Sequence, residues 1–237
     1  MIVGLELHKD LVSIDPRISI FLPLKGGLVV SCQLPDGTAA STPEFIAAQA
    51  QTVIQAGAVG IRAQGLDNVK AVAKVTNVPI VGLVKRYSPS TSIFITPAIK
   101  DVLELEAAGA SIVAIDATDR LRSDGVNLKN FLTQLRLETQ IPLLADVDSF
   151  EAGVIAEALG CESVATTLSG YTEVTASPLP NFELLRRLAN KLHVPLIAEG
   201  GYSKPEHFKL ALEVGAWAVC VGTAITNPYL LTKQFLE

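Results

Sequence analysis

Two short apolar runs of this sequence end in side chains suited to moving protons: Val78-Pro79-Ile80-Val81-Gly82-Leu83-Val84 in Lys85, and Val194-Pro195-Leu196-Ile197-Ala198 in Glu199. Apolar walls and the adjacent Arg86 should pull the Lys85 pKa from about 10.4 toward neutrality. Such a lysine serves as a general base or as a Schiff-base nucleophile. The plainer reading is a surface lysine closing its strand, or a phosphate contact. Glu199, set between an apolar run and Gly200, should face the same space as an acid/base or a hydroxyl ligand, and Asp116 could share that work. An ion pair with Arg62 is the plainer reading for either carboxylate. Other apolar runs end in Gln33, Arg62, Asp116, Asp146, Thr167 with Ser169, and Gly222 with Thr223.

The last two runs end in glycine, as Ala198-Glu199-Gly200-Gly201 and Val221-Gly222-Thr223-Ala224. Bare amides at Gly200, Gly201, Gly222 and Thr223 would let a phosphate approach the backbone closely. Tight-turn glycines are the structural alternative. No metal set is expected: His8 lies near the N-terminus, and His193 and His207 fall on predicted helices, so no histidine closes a strand. No G-x-G-x-x-G follows the first strand, so a dinucleotide is not indicated.

Positioning these residues requires a repeated scaffold, and the sequence contains one. Val78-Pro79-Ile80, Ile141-Pro142-Leu143 and Val194-Pro195-Leu196 each open a short apolar run. They alternate with Ala56-Gly57-Ala58, Ala108-Gly109-Ala110, Leu159-Gly160-Cys161 and Val214-Gly215-Ala216, where a helix should end at glycine and a strand begin. Each pattern recurs about every 50 to 60 residues, the span of two β–α units. Strands are expected near 27–33, 58–62, 79–85, 111–116, 142–147, 163–167, 195–199 and 217–222. Their uniformly apolar character suits parallel strands buried on both faces. Helix starts are expected at Thr42-Pro43-Glu44, at Thr96-Pro97 and at Ser203-Lys204-Pro205-Glu206. Eight such units close naturally into a (β/α)₈ TIM barrel of the phosphate-binding type, with an open doubly wound sheet as the competitor. The C-terminal strand ends carry the chemistry in these barrels, and the loops after strands seven and eight form their recurrent phosphate site. Residues 1–24 lie outside the eight units and are expected to form an N-terminal extension packed on the barrel. Residues 25–237 are then the catalytic domain.

Composition narrows the partners. A net charge of −5 without a basic block speaks against nucleic acid. The chain is 49% apolar, yet no apolar run reaches the roughly 18 residues that span a bilayer. No secretion signal opens it, and the three cysteines suit a reducing cytoplasm, with Cys32 and Cys220 as small buried hydrophobes. A cytoplasmic protein acting on a small molecule is expected.

The segments Lys25–Gln33, Gly60-Ile61-Arg62-Ala63, Gly82-Leu83-Val84-Lys85-Arg86, Ala114-Ile115-Asp116-Ala117-Thr118, Thr166-Thr167-Leu168-Ser169-Gly170-Tyr171-Thr172, Ala198-Glu199-Gly200 and Val221–Thr226 together resemble the N-acetylmannosamine-6-phosphate 2-epimerases. The resemblance covers roughly residues 25 to 236. It implies a cofactor-independent isomerase acting on a sugar phosphate in amino-sugar and sialic-acid catabolism, with a homodimer left open. Lys85 then moves the C2 proton and Glu199 assists ring opening. Gln33, Arg62, Asp116, Thr167, Ser169 and Tyr171 contact substrate, and the Gly200, Gly201, Gly222 and Thr223 region meets the phosphate. Two positions depart from the family pattern: Gly201, where many relatives carry a basic residue, and Asn227, where arginine is frequent. The residues alone leave a Schiff-base aldolase or lyase, and a non-catalytic sugar-phosphate sensor, as alternatives.

Overall fold

The computed structural model describes residues 16–173 and 178–236. Eight strands pair in sequence order, all parallel, and β8 pairs with β1 to close the barrel. They are β1 Leu28–Cys32, β2 Gly60–Gln64, β3 Ile80–Leu83, β4 Ile112–Asp116, β5 Leu143–Asp146, β6 Ser163–Ala165, β7 Leu196–Ala198 and β8 Ala218–Val221. Closure removes the open doubly wound alternative. The helices are α1 Pro43–Gln55, α2 Leu66–Ala73, α3 Ile99–Ala107, α4 Leu128–Glu138, α5 Phe150–Ala158, α6 Phe182–Ala189, α7 Pro205–Val214, α8 Thr223–Thr226 and α9 Pro228–Gln234. No described helix is long and apolar enough to cross a membrane.

Side chains alternate across each strand, and the buried apolar residues divide accordingly into two clusters. Val30, Ile61, Val113, Leu143, Val164, Leu196 and Val219 face outward onto the helices. Val29, Val81, Leu83, Ile112, Ala114, Leu144, Ala165, Ile197, Ala218 and Cys220 fill the interior. That alternation aims the functional layer. Each of Lys85, Asp116, Asp146, Thr167 and Glu199 stands two residues beyond an interior apolar residue, so it points inward at the C-terminal mouth.

The glycine helix stops are borne out: Gly57, Gly109, Gly160 and Gly215 all have φ between 88° and 117°, the left-handed region that glycine enters without a Cβ clash. Thr42 caps α1 by accepting a hydrogen bond from the Phe45 amide. Two predicted helix starts differ. Thr96 opens no helix; its amide donates to the Val84 carbonyl at 2.8 Å, while its hydroxyl accepts from the Val84 amide. Residues 85–95 therefore fold back as a hairpin over the mouth, Lys85 bridging to Ile95, and α3 begins at Ile99 with the Asp101 carboxylate accepting from the Ala98 amide. At α7 the cap position is Lys204, and the Ser203 amide donates to His207 Nδ1 instead. His193 lies in the bend before β7 rather than on a helix.

A 3₁₀ helix over Pro16–Leu24 fills the N-terminal end of the barrel. Phe21 and Leu24 join the interior cluster, and the Trp217 indole donates to the Phe21 carbonyl at 2.7 Å. Gly60 makes room for this floor, since a Cβ there would sit 2.6 Å from Leu24 Cδ2. Residues 1–15 of the expected extension lie outside the described residues.

Candidate active site

A cavity of about 930 Å³ opens at the C-terminal mouth, a size suited to a small-molecule ligand. Its wall includes Gln33, Arg62, Lys85, Thr167, Tyr171 and Glu199, together with Gly200, Gly201, Gly222 and Thr223 where β7 and β8 end. Ten of the twelve residues expected at the site are thus gathered around one space, the ten just named. The other two are placed differently. Asp116 is fully buried behind Arg120 and Thr118, with Arg120 Nη2 at 2.6 Å and the Thr118 hydroxyl at 2.7 Å. Ser169 is likewise buried and accepts from the Asn181 side-chain amide. Neither lines the cavity.

Arg62 organises the charges. It is 2% exposed and makes a two-pronged pair with Asp146, Nη2 to Oδ2 at 2.6 Å and Nη1 to Oδ1 at 3.1 Å. Its Nη1 also lies 3.1 Å from Glu199 Oε2. The expected partner choice is therefore half right: Arg62 joins Glu199, and its second carboxylate is Asp146, with Asp116 paired elsewhere. Asp146 further accepts from the Thr167 hydroxyl at 2.7 Å.

Lys85 is partly buried, and its pKa is lowered first by burial and then by the Arg62 guanidinium, against the opposing pull of Glu199, Asp36 and Asp146. The direction agrees with the expectation, but the neighbouring cation is Arg62. Arg86 turns away to Asp101, leaving half its side chain in solvent. Burial raises the Glu199 pKa, with Arg62 opposing and Asp146 adding to the rise. The lysine is thus biased toward its neutral form and the glutamate toward its protonated form, each first by lost hydration.

Residues not singled out for the site complete it. Asp36, Tyr87, Phe94, Tyr202 and Cys220 line the cavity, as do Leu230 and Leu231 of α9. Tyr87 stacks on Phe94 with centroids 5.4 Å apart, giving the hairpin an aromatic edge at the mouth. Cys220 is buried, as expected of it, and is also part of the wall. Asn227 lines the cavity and caps α9, its Oδ1 accepting from the Leu230 amide. A Cβ at Gly201 would meet Leu179 Cβ at 2.5 Å, so Leu179 occupies the space a side chain there would need. Among the described residues no group of three or more histidine, cysteine, aspartate or glutamate side chains gathers as a metal site.

A base-like lysine, an arginine and a carboxyl converging on the C-terminal mouth of a (β/α)₈ barrel define a class: barrel proteins built for acid–base chemistry on a small ligand. Within that class, residues 46–237 match the family described as "Putative N-acetylmannosamine-6-phosphate epimerase". A relative named "Putative N-acetylmannosamine-6-phosphate 2-epimerase" from Caldanaerobacter subterraneus subsp. tengcongensis is 40% identical over 222 residues, 93% of this chain and 94% of the relative. One of the same name from Thermosynechococcus vestitus is 42% identical over 214 residues, 90% and 93% of the two chains. The solved structure of the N-acetylmannosamine-6-phosphate 2-epimerase from Clostridium perfringens superposes with a TM-score of 0.86 at 37% identity, covering 92% of this chain and 95% of that one. The chain belongs to the N-acetylmannosamine-6-phosphate epimerase family. A thiamine phosphate pyrophosphorylase from Pyrococcus furiosus, 16% identical with a TM-score of 0.60 over 86% of this chain and 89% of that one, shares the fold.

Proposed function

We propose that this protein inverts C2 of N-acetylmannosamine 6-phosphate to give N-acetylglucosamine 6-phosphate, using its own side chains for each proton transfer. The observation that carries the reading is the placement of Lys85, Arg62 and Glu199 around one cavity whose wall also includes the glycine turns after β7 and β8.

The C2 hydrogen of a closed sugar is not acidic. Opening the ring creates an aldehyde at C1, which acidifies C2 by delocalising the carbanion into an enolate. Glu199 takes the proton from the anomeric hydroxyl and delivers one to the ring oxygen. Neutral Lys85 then removes the C2 proton. Arg62, held between Asp146 and Glu199, offers a fixed positive charge to the developing enolate oxygen. The Lys85 ammonium, after rotation about the sugar's C1–C2 region, or a second acid that later re-equilibrates with it through solvent, gives a proton to the opposite face of C2 and completes the inversion, and the ring closes by the reverse of its opening. Gly200, Gly201, Gly222 and Thr223 present backbone amides to the phosphate, whose binding away from C2 aligns the reacting carbon.

The test is proton NMR of the sugar phosphate in deuterated water. The wild-type protein should wash deuterium into C2 while forming the second epimer, and Lys85→Ala should do neither while unfolding at a similar temperature. Near-normal exchange by Lys85→Ala would remove the base. A wild-type protein that binds the sugar without exchange would be a sensor, and one trapped on its substrate by borohydride would be a Schiff-base enzyme.

A further inference from the structure

We propose that Cys220 is a positioning residue for sugar-ring opening: its thiol donates an S–H···O hydrogen bond that holds the Glu199 carboxyl toward the substrate. The proposal rests on the epimerase reading above, and it concerns a residue which that reading does not use.

The barrel register brings the two together. Strands β7 and β8 pair Ile197 with Ala218 and Ala198 with Val219, so one step further sets Glu199 beside Cys220. Both lie in step with interior residues, Glu199 two beyond Ile197 and Cys220 two beyond Ala218, and both line the cavity. Adjacent register and a common inward aim set the Cys220 thiol beside the Glu199 carboxyl.

Other donors near Glu199 are committed elsewhere. Thr167 lines the cavity with Glu199, but its hydroxyl has a single proton, and that goes to Asp146 at 2.7 Å. Arg62 Nη1 sits 3.1 Å from Glu199 Oε2, yet it directs its hydrogen bond at Asp146 Oδ1, and Oε2 has no aligned donor. Arg62 therefore supplies charge to Glu199, and the thiol supplies direction. Burial pushes the Cys220 pKa well above that of an ordinary thiol, so sulfur keeps its proton and remains a donor. The groups facing Glu199 are Arg62 from β2, Lys85 from β3, Asp146 from β5, Thr167 and Tyr171 beyond β6, and Cys220 from β8. A thiol is a weak donor. It can orient a carboxyl without holding the proton-exchanging pair so firmly that transfer to the sugar is impeded, as a second arginine would.

The experiment compares Cys220→Ala, which removes the donor, with Cys220→Ser, which keeps one, alongside wild type. Each is assayed for epimerisation of unlabelled and C2-deuterated N-acetylmannosamine 6-phosphate, with thermal unfolding as a check on the fold. Cys220→Ala should lose at least fivefold in kcat with KM changed less than twofold. Its C2-deuterium isotope effect should be no larger than that of wild type, because ring opening and not C–H cleavage has been slowed. Cys220→Ser should stay within twofold of wild type. Three results would each overturn the assignment: Cys220→Ala within twofold of wild type in kcat, Cys220→Ser as impaired as Cys220→Ala, or a larger isotope effect in Cys220→Ala. Any of these with an active wild type removes only the role of Cys220, whereas an inactive wild type removes the epimerase reading itself.

Discussion

Replacing Asp146 with asparagine tests whether the charge cluster at the mouth is a structural necessity as well as a catalytic one. Asp146 is fully buried and accepts three side-chain hydrogen bonds, two from Arg62 and one from Thr167. Asparagine keeps the shape, removes the charge, and turns an NH₂ group toward one of those donors. Breaking a buried ion pair by removing one partner costs about 3–5 kcal/mol, because the surviving charge is left uncompensated. Arg62 retains Glu199 at 3.1 Å, which places the expected loss near the lower end, about 3 kcal/mol. With a urea dependence of about 3 kcal/mol per molar for a chain of this size, the unfolding midpoint should fall by about 1 M. Urea titration followed by circular dichroism reads this directly. Lys100→Gln, which removes an exposed pair with Glu104 at 3.6 Å, is the control and should change stability by less than about 0.5 kcal/mol. An Asp146→Asn loss below about 1 kcal/mol would refute the reasoning, for it would mean that Glu199 alone balances Arg62.

As the proposed C2 base Lys85 must act in its neutral form, so activity should be present above its lowered pKa and fall away as the pH drops through it. Arg62→Gln removes the cation that helps lower that pKa, and the acid limb of C2 deuterium exchange should move to higher pH; a limb that stays put would detach Arg62 from the tuning of Lys85. Gly222→Val brings a Cβ to 3.3 Å from Ser31 Cβ, a tight contact beside the cavity. Calorimetry should show affinity for the 6-phosphorylated sugar falling at least tenfold, about 1.4 kcal/mol, with much less change for the unphosphorylated sugar. Equal losses for both sugars would make Gly222 structural and move the phosphate elsewhere.

Much of the barrel was legible because its signals are local. Glycines at 57, 109, 160 and 215 end helices where the chain passes through positive φ, and a strand begins within a few residues of each. What escaped was set by contacts distant in the chain. The Thr96-Pro97 pair reads as a helix start until the hairpin return from Lys85 takes the Thr96 amide for Val84. Asp116 and Asp146 both end apolar strands, and their strand registers even set them opposite each other. Only the loop after β4, which sends Arg120 back over Asp116, decides that Asp146 receives Arg62. Strand alternation could have raised Cys220, since it stands two residues beyond the interior Ala218 on the strand next to Glu199. An apolar reading of cysteine hides that position.

Eight β–α units make a tube, and the 3₁₀ helix of Pro16–Leu24 stops its N-terminal end. Phe21 and Leu24 occupy the floor, and Gly60 yields its side-chain volume to them. A ligand in the cavity at the other end lies against the stacked Tyr87 and Phe94 and the α9 residues of its wall. Those two rings belong to the hairpin that carries Lys85 at its base. A change in that wall and a change in the chemistry are mechanically linked through eleven residues of chain, 85–95.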